Sequence, residues 1–318
     1  MLHSLIDTEI WEKEFETLYS QEHFEKVWSI IKPEALKYID SWMDELRCQN
    51  SNIKLNSAVG LYYQKLIKSH ELLQNKYTEL FNVDIMEEYG EATDGFKGQI
   101  LGKQCPVIQK TLNSKTEVLK DWKMQFRLAS NSTLYDTFCN FVYFASEYNE
   151  NMTEAELENI DTMDDLGLYG MREDNCYLVG VIGTGIISTI LNAMYPRLFP
   201  GHFKTGMFSL YFLSGKEPIE MGSGSSEFLM IKDDSHSKTG IIEAEHNYYF
   251  EYEIFALYSL RLFRLLNEEI EKRCELKFPS EYRYVLTNDF YQYVFDANRA
   301  QIQTLVGNDD VLKFGIGF

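Results

Sequence analysis

Leu178-Val-Gly-Val-Ile-Gly-Thr-Gly-Ile-Ile-Ser188 is an apolar run broken by three glycines, and the fold turns on how it is read. It can be a strand feeding a nucleotide-binding loop, a hairpin that contacts DNA, or the packed centre of a helical core. The third reading makes the glycines interior scaffolding, placed so that neighbouring backbones can approach closely.

The dinucleotide reading takes Leu178–Ile182 as a strand and Gly183-Thr-Gly185-Ile-Ile-Ser188 as a G-x-G-x-x-small turn opening a helix. Such a turn aims backbone N–H groups and the helix dipole at a pyrophosphate. The context argues against it: the helix would stop at Pro196, and the first acid beyond it is Glu217, too late to hold a ribose. No alternating series of strands and helices follows.

Residues 183–200, Gly-Thr-Gly-Ile-Ile-Ser-Thr-Ile-Leu-Asn-Ala-Met-Tyr-Pro-Arg-Leu-Phe-Pro, resemble helix-hairpin-helix-like segments of uncharacterised prokaryotic restriction and defence-associated proteins. In those segments a glycine turn precedes a small residue, two apolar positions and an aromatic-Pro-x-x-Phe-Pro close. The resemblance, over about residues 180–204, implies that Gly183, Gly185 and Ser188 contact a DNA phosphate, with Lys204 nearby. The chain departs from the pattern after Pro200, where Gly201-His-Phe-Lys204 stands in place of the usual acid and arginine.

Elsewhere the texture is helical. Leu36, Ile39, Met43 and Leu46 recur at helical spacing after Pro33, which suits a first helical turn. Val59, Tyr62, Tyr63, Leu66, Leu73, Tyr77 and Leu80 make a longer stripe, with His70 on its edge. Residues 89–98 look like a loop, and residues 134–147 return to helix. Thr153-x-x-Glu156 is a capping box for a short acidic helix. Residues 248–273 are apolar on nearly every side as far as Leu266, as in a buried central helix. Asn288 can cap a last helix, and Val311–Phe318 a last strand.

Two stretches have strand character. Trp122, Met124, Phe126 and Leu128 alternate with Lys123, Gln125 and Arg127. Phe228–Ile231 and Ile241–Ala244 flank a polar tip, as in a hairpin. The expected fold is α+β, mainly α-helical, with a small antiparallel β-sheet or hairpins around 121–129 and 227–245. Helices 178–195, 248–266 and 289–306 form its centre. The organisation expected is an N-terminal helical region, 1–90, packed with a mixed core, 91–318.

Two metal arrangements are conceivable. Asp121-x-Lys123 on a strand would put both side chains on one face, and Asp94 could complete a divalent-ion site for a nuclease. Glu243 and Glu245, with His246 opposite and His236 at the hairpin tip, could form another. The six histidines show no zinc spacing, and Gly222-Ser-Gly-Ser-Ser226 lacks the setting of a nucleophile elbow. No cofactor is expected, a divalent ion being the alternative.

Charge sets the partner classes. Forty-nine acidic against 30 basic residues give a net charge of −19, which repels phosphate backbones unless basic residues cluster locally. A protein partner with a basic surface suits it better. Tyr177–Tyr195 carries no charge, but its glycines and polar residues point to a buried segment rather than a membrane span. The scattered cysteines (48, 105, 139, 176 and 274) and a start without a basic, apolar leader suit a cytoplasmic protein. The expected role is an accessory or sensor subunit of a restriction or antiviral system. A metal-dependent nuclease or DNA-binding protein is the alternative, and a dinucleotide-binding protein the second.

Overall fold

A computed structural model describes residues 8–49, 52–173, 175–221, 224, 226–233, 242–246 and 251–306. The protein is mainly α-helical. In chain order the helices are α1 (Thr8–Tyr19), α2 (Gln21–Gln49), α3 (Leu55–Phe81), α4 (Val83–Gly90), α5 (Pro106–Asn113), α6 (Lys120–Leu128), α7 (Asn131–Asn151) and α8 (Glu154–Asn159). They continue as α9 (Met163–Leu166), α10 (Gly170–Glu173), α11 (Thr184–Met194), α12 (Lys204–Leu213), α13 (Tyr252–Cys274), α14 (Arg283–Ala297) and α15 (Arg299–Val306). Strands β1 (Leu229–Asp233) and β2 (Ile242–His246) pair antiparallel, with Ile231 opposite Ala244.

The chain divides into two compact units. The first comprises Met1–Tyr62, Phe203–Phe278 and Leu286–Phe318; the second comprises Tyr63–His202 and Pro279–Val285. The boundary anticipated near residue 90 lies inside the second unit.

In the first unit α2 packs against α1, α12 and α13. Phe24, Val27, Ile31, Ala35, Ile39 and Met43 recur at helical spacing and are all buried. Pro33 lies inside α2 rather than at its start. The ring removes one backbone bond on a face where Ser29, Lys32 and Pro33 are exposed. Water can satisfy the freed carbonyl there, while the buried stripe runs through unbroken. Helix α13 is buried from Tyr252 to Leu260, as its all-round apolar character requires. Its Phe255 lies 5.7 Å from the Tyr291 ring, and Gly206 of α12 approaches both.

In the second unit α7 forms the spine, with Phe138 between Phe81, Phe96 and Phe141 at 4.8–5.5 Å. Residues 89–98, read as a loop, end α4 and then form a short 3-10 turn leading into a π-helical turn, Phe96–Leu101. The capping box forms: Thr153 accepts from the Glu156 amide, and Glu156 accepts from the Thr153 amide.

Four expectations are corrected. Residues 121–129 are helix α6, so the sheet they were to share with 227–245 does not form. Leu178–Ile182 is a tight turn, not a strand or the start of a helix; α11 begins only at Thr184. Asn288 lies within α14 rather than at a helix start; the expected last helix is two, α14 and α15, broken at Asn298. Gly180, Gly183 and Gly185 are exposed, and a Cβ added at any of them would meet nothing within 4 Å. The glycines are therefore not a close-packed interior. The inward-packing part is Ile187–Met194, immediately after them. The expected final strand at 311–318 lies outside the described residues. Among the described residues no helix is long and apolar enough to cross a membrane.

Candidate functional site

The second unit presents the glycine run as a projecting turn. The Leu178 amide donates to the Ile182 carbonyl at 3.0 Å, and the Ile182 amide returns a bond at 2.8 Å. Gly180 takes φ +75° inside this loop, a left-handed value that costs a side-chain-bearing residue about 1 kcal/mol or more. Val179 at the tip is 96% exposed. Gly183 then caps α11 in extended conformation, and the first intrahelical bonds run from Ile186 and Ile187 to its carbonyl. The Thr184 and Gly185 amides precede those bonds. With no side chain at 183 or 185, they form an open, partly positive helix end.

Below the turn the helix is pinned. The Ser188 hydroxyl accepts from the His202 amide at 3.0 Å, and the Asn192 amide group donates to the Phe199 carbonyl at 2.8 Å. His70 meets the Ala193 carbonyl at 3.2 Å, and Gln74 donates to that of Met194 at 2.9 Å. His70 is thus a satisfied core histidine. The Tyr195–Pro200 close is held likewise: the Tyr284 amide donates to Pro196, and Arg197 to the Met152 carbonyl.

A basic strip adjoins the turn. Between Lys97 and Arg127 stand six lysines and one arginine against two acids, Glu117 and Asp121. Helix α5 of this stretch lies beside α11, and the Trp122 indole of α6 donates to the Val181 carbonyl at 2.7 Å. Lys97 is spent on the carbonyls of Arg127 and Ala129, and Lys120 pairs with Glu117. Lys115 and Arg127 are exposed, and neither has an acidic partner among the described residues. The sequence reading missed this strip because it summed charge over the whole chain. A charge window of about thirty residues would have exposed it.

The other anticipated residues do not converge. Ser188 is 1% exposed and occupied by His202, so it offers nothing to a phosphate. Lys204 opens α12. Asp94 is exposed in the turn Thr93–Gly95. Asp121 and Lys123 stand two apart on a helix, about 200° around its axis, so they cannot share the face that a strand would give them. Lys123 instead donates to the Ser114 carbonyl. Among the described residues no three His, Cys, Asp or Glu side chains converge as a metal site needs. Glu243, Glu245 and His246 lie on β2, opposite Lys232, Met230 and Leu229; His236 is outside the described residues. Ser226 accepts from the Phe228 and Leu229 amides, a structural turn rather than a nucleophile's setting.

A buried ionisable pair in the first unit also escaped the sequence reading. Glu227 is 1% exposed and accepts from the Ile219 amide at 2.7 Å; His23, 4% exposed, lies 3.5 Å away. Burial pushes the Glu227 carboxyl up to about 7 and holds the His23 imidazole below its ordinary value. Comparison with family profiles, with curated proteins and with solved structures finds no match.

Proposed function

We propose that the protein is an accessory, non-catalytic component that acts through partners, and that its second unit holds a nucleic-acid backbone. The observation that carries this reading is the exposed Gly183–Gly185 helix end beside a strip of seven basic and two acidic residues, in a chain whose net charge is −19. Open amides at a helix N-terminus and exposed cations such as Lys115 and Arg127 bind phosphate oxygens without reading sequence. The setting in restriction or antiviral defence rests on the resemblance of residues 180–204. A cytoplasmic location suits the five free cysteines. The acidic remainder suits a basic protein partner.

The test is anisotropy of a labelled DNA duplex at several salt concentrations. Binding should weaken steeply with salt, and Lys115→Glu with Arg127→Glu should reduce it about tenfold and flatten the salt slope. Salt-independent binding, or an unchanged double variant, would overturn the reading. Metal-dependent cleavage by the purified protein, lost in Asp121→Ala, would replace it with the nuclease. Stabilisation by a nicotinamide nucleotide would replace it with the dinucleotide alternative.

A further inference from the structure

The geometry points to a separate site in the first unit for the headgroup of an organic cation, an alkylammonium or a guanidinium. A cavity of about 190 Å³ opens between α2, the start of α3 and α14. Trp42 and Leu46 form its floor, 3% and 5% exposed, and the half-buried Tyr62 and Tyr293 form its walls. Glu45, Asp289 and Asp296 supply carboxylates, and no basic side chain lines it. Arg299 neutralises Asp296 from outside at 2.8 Å. Glu45 is exposed, receives only the Gln49 amide at 2.9 Å, and makes no ion pair among the described residues.

The walls are fixed before any ligand arrives. The Trp42 and Tyr62 rings meet edge to face at 5.7 Å, and the Tyr62 hydroxyl donates to Asp289. Phe290 backs Trp42 at 6.2 Å. Burial and the Asp289 charge raise the Tyr62 phenol well above its ordinary value, so it remains a donor at physiological pH. A cation would enter rings already in place, and little side-chain ordering would oppose binding.

Size and charge select the ligand. The space equals about six waters at roughly 30 Å³ each, enough for a trimethylammonium or guanidinium group. Anions meet carboxylates, and a neutral apolar group would strip water from them without compensation. Aromatic faces and carboxylates together favour a cation. That headgroup can come from a small free amine or from a lysine or arginine side chain of a peptide. The site is independent of the phosphate-binding surface, which lies in the other unit and takes the opposite charge.

Calorimetric titration of the full chain at low salt tests this with choline, with its uncharged carbon isostere bearing tert-butyl, and with a short arginine peptide. Choline and the peptide should saturate at about millimolar concentrations, and the isostere should bind at least about tenfold more weakly. Glu45→Gln, at an exposed position, should weaken cation binding about three- to tenfold with an unchanged melting temperature; Tyr293→Leu should do the same. A peptide that binds about tenfold tighter than choline assigns the site to a partner's side chain; equal affinity assigns it to a free amine. No saturable heat for either cation, equal binding of the isostere, or wild-type affinity in both variants would overturn the proposal.

Discussion

Glu227 ties stability to pH. Folded, its carboxyl releases its proton near pH 7; unfolded, it does so near about 4.3. Between those values the folded chain holds a proton that the unfolded chain has lost, so stability falls as pH rises through the window. His23 acts in the opposite sense. Its folded value is lowered, so below about 6.5 the unfolded chain takes up a proton that the folded one refuses, and stability falls as pH falls. Above that point only the Glu227 slope remains. Glu227→Gln keeps an acceptor for the Ile219 amide and removes the cost of ionisation. It should stabilise the protein by about 4 kcal/mol at pH 8, at roughly 1.4 kcal/mol per pH unit, and by almost nothing near pH 4. Urea melts at the two values check this; an equal gain at both would show that the charge is not the cause. Two glycines separate in the same way. A Cβ at Gly206 would lie 2.8 Å from the Phe255 ring, so Gly206→Ala should cost about 1–3 kcal/mol. Gly185 has open space, and Gly185→Ala should leave the melting temperature unchanged or slightly raised.

Helix α6 shows how one pattern satisfies two periods. Trp122, Met124, Phe126 and Leu128 alternate like a strand, yet the same four positions form two i,i+4 pairs. Trp122 stacks on Phe126 at 5.2 Å, with Phe126 4% exposed; Met124 and Leu128 face solvent at 50% and 74%. A strand would have placed all four on one buried face, and the fold buries only one pair. The intervening Lys, Gln and Arg are good helix formers, which settles the local choice. Trp122→Phe should cost about 1–2 kcal/mol by leaving the Val181 carbonyl without its donor, and should speed amide exchange at the glycine turn; thermal melts and hydrogen exchange measure both. Helix α13 was legible because its apolar run is longer than an ordinary strand. The capping box at Thr153 was legible because it is local. Glycine was not, since a residue without a side chain suits a crowded interior and an exposed turn equally well. The acid–aromatic cavity was not, because Trp42, Tyr62 and Tyr293 come from positions that only the fold brings together.

The distribution of charge also belongs to the whole chain. Its acidic excess is carried elsewhere than in Lys97–Arg127, so the two signs of charge are segregated along one polypeptide. The division into units adds a constraint, since the first is assembled from three stretches that flank and interrupt the second. A fragment ending at residue 202 should therefore bind a hydrophobic dye and aggregate. It retains the apolar stripe of α2 (Phe24, Val27, Ile31) but lacks α12 and α13. A soluble, dye-free fragment would show that α2 finds other cover. During synthesis every molecule passes through that same condition. Tyr19 and Glu253, which bond in the finished protein, are 234 positions apart, so at about 5–20 residues per second the early helix waits roughly 10–50 s for its mate to leave the ribosome. For that interval the α2 stripe lacks α12 and α13, and the nascent chain carries apolar surface that a chaperone can bind.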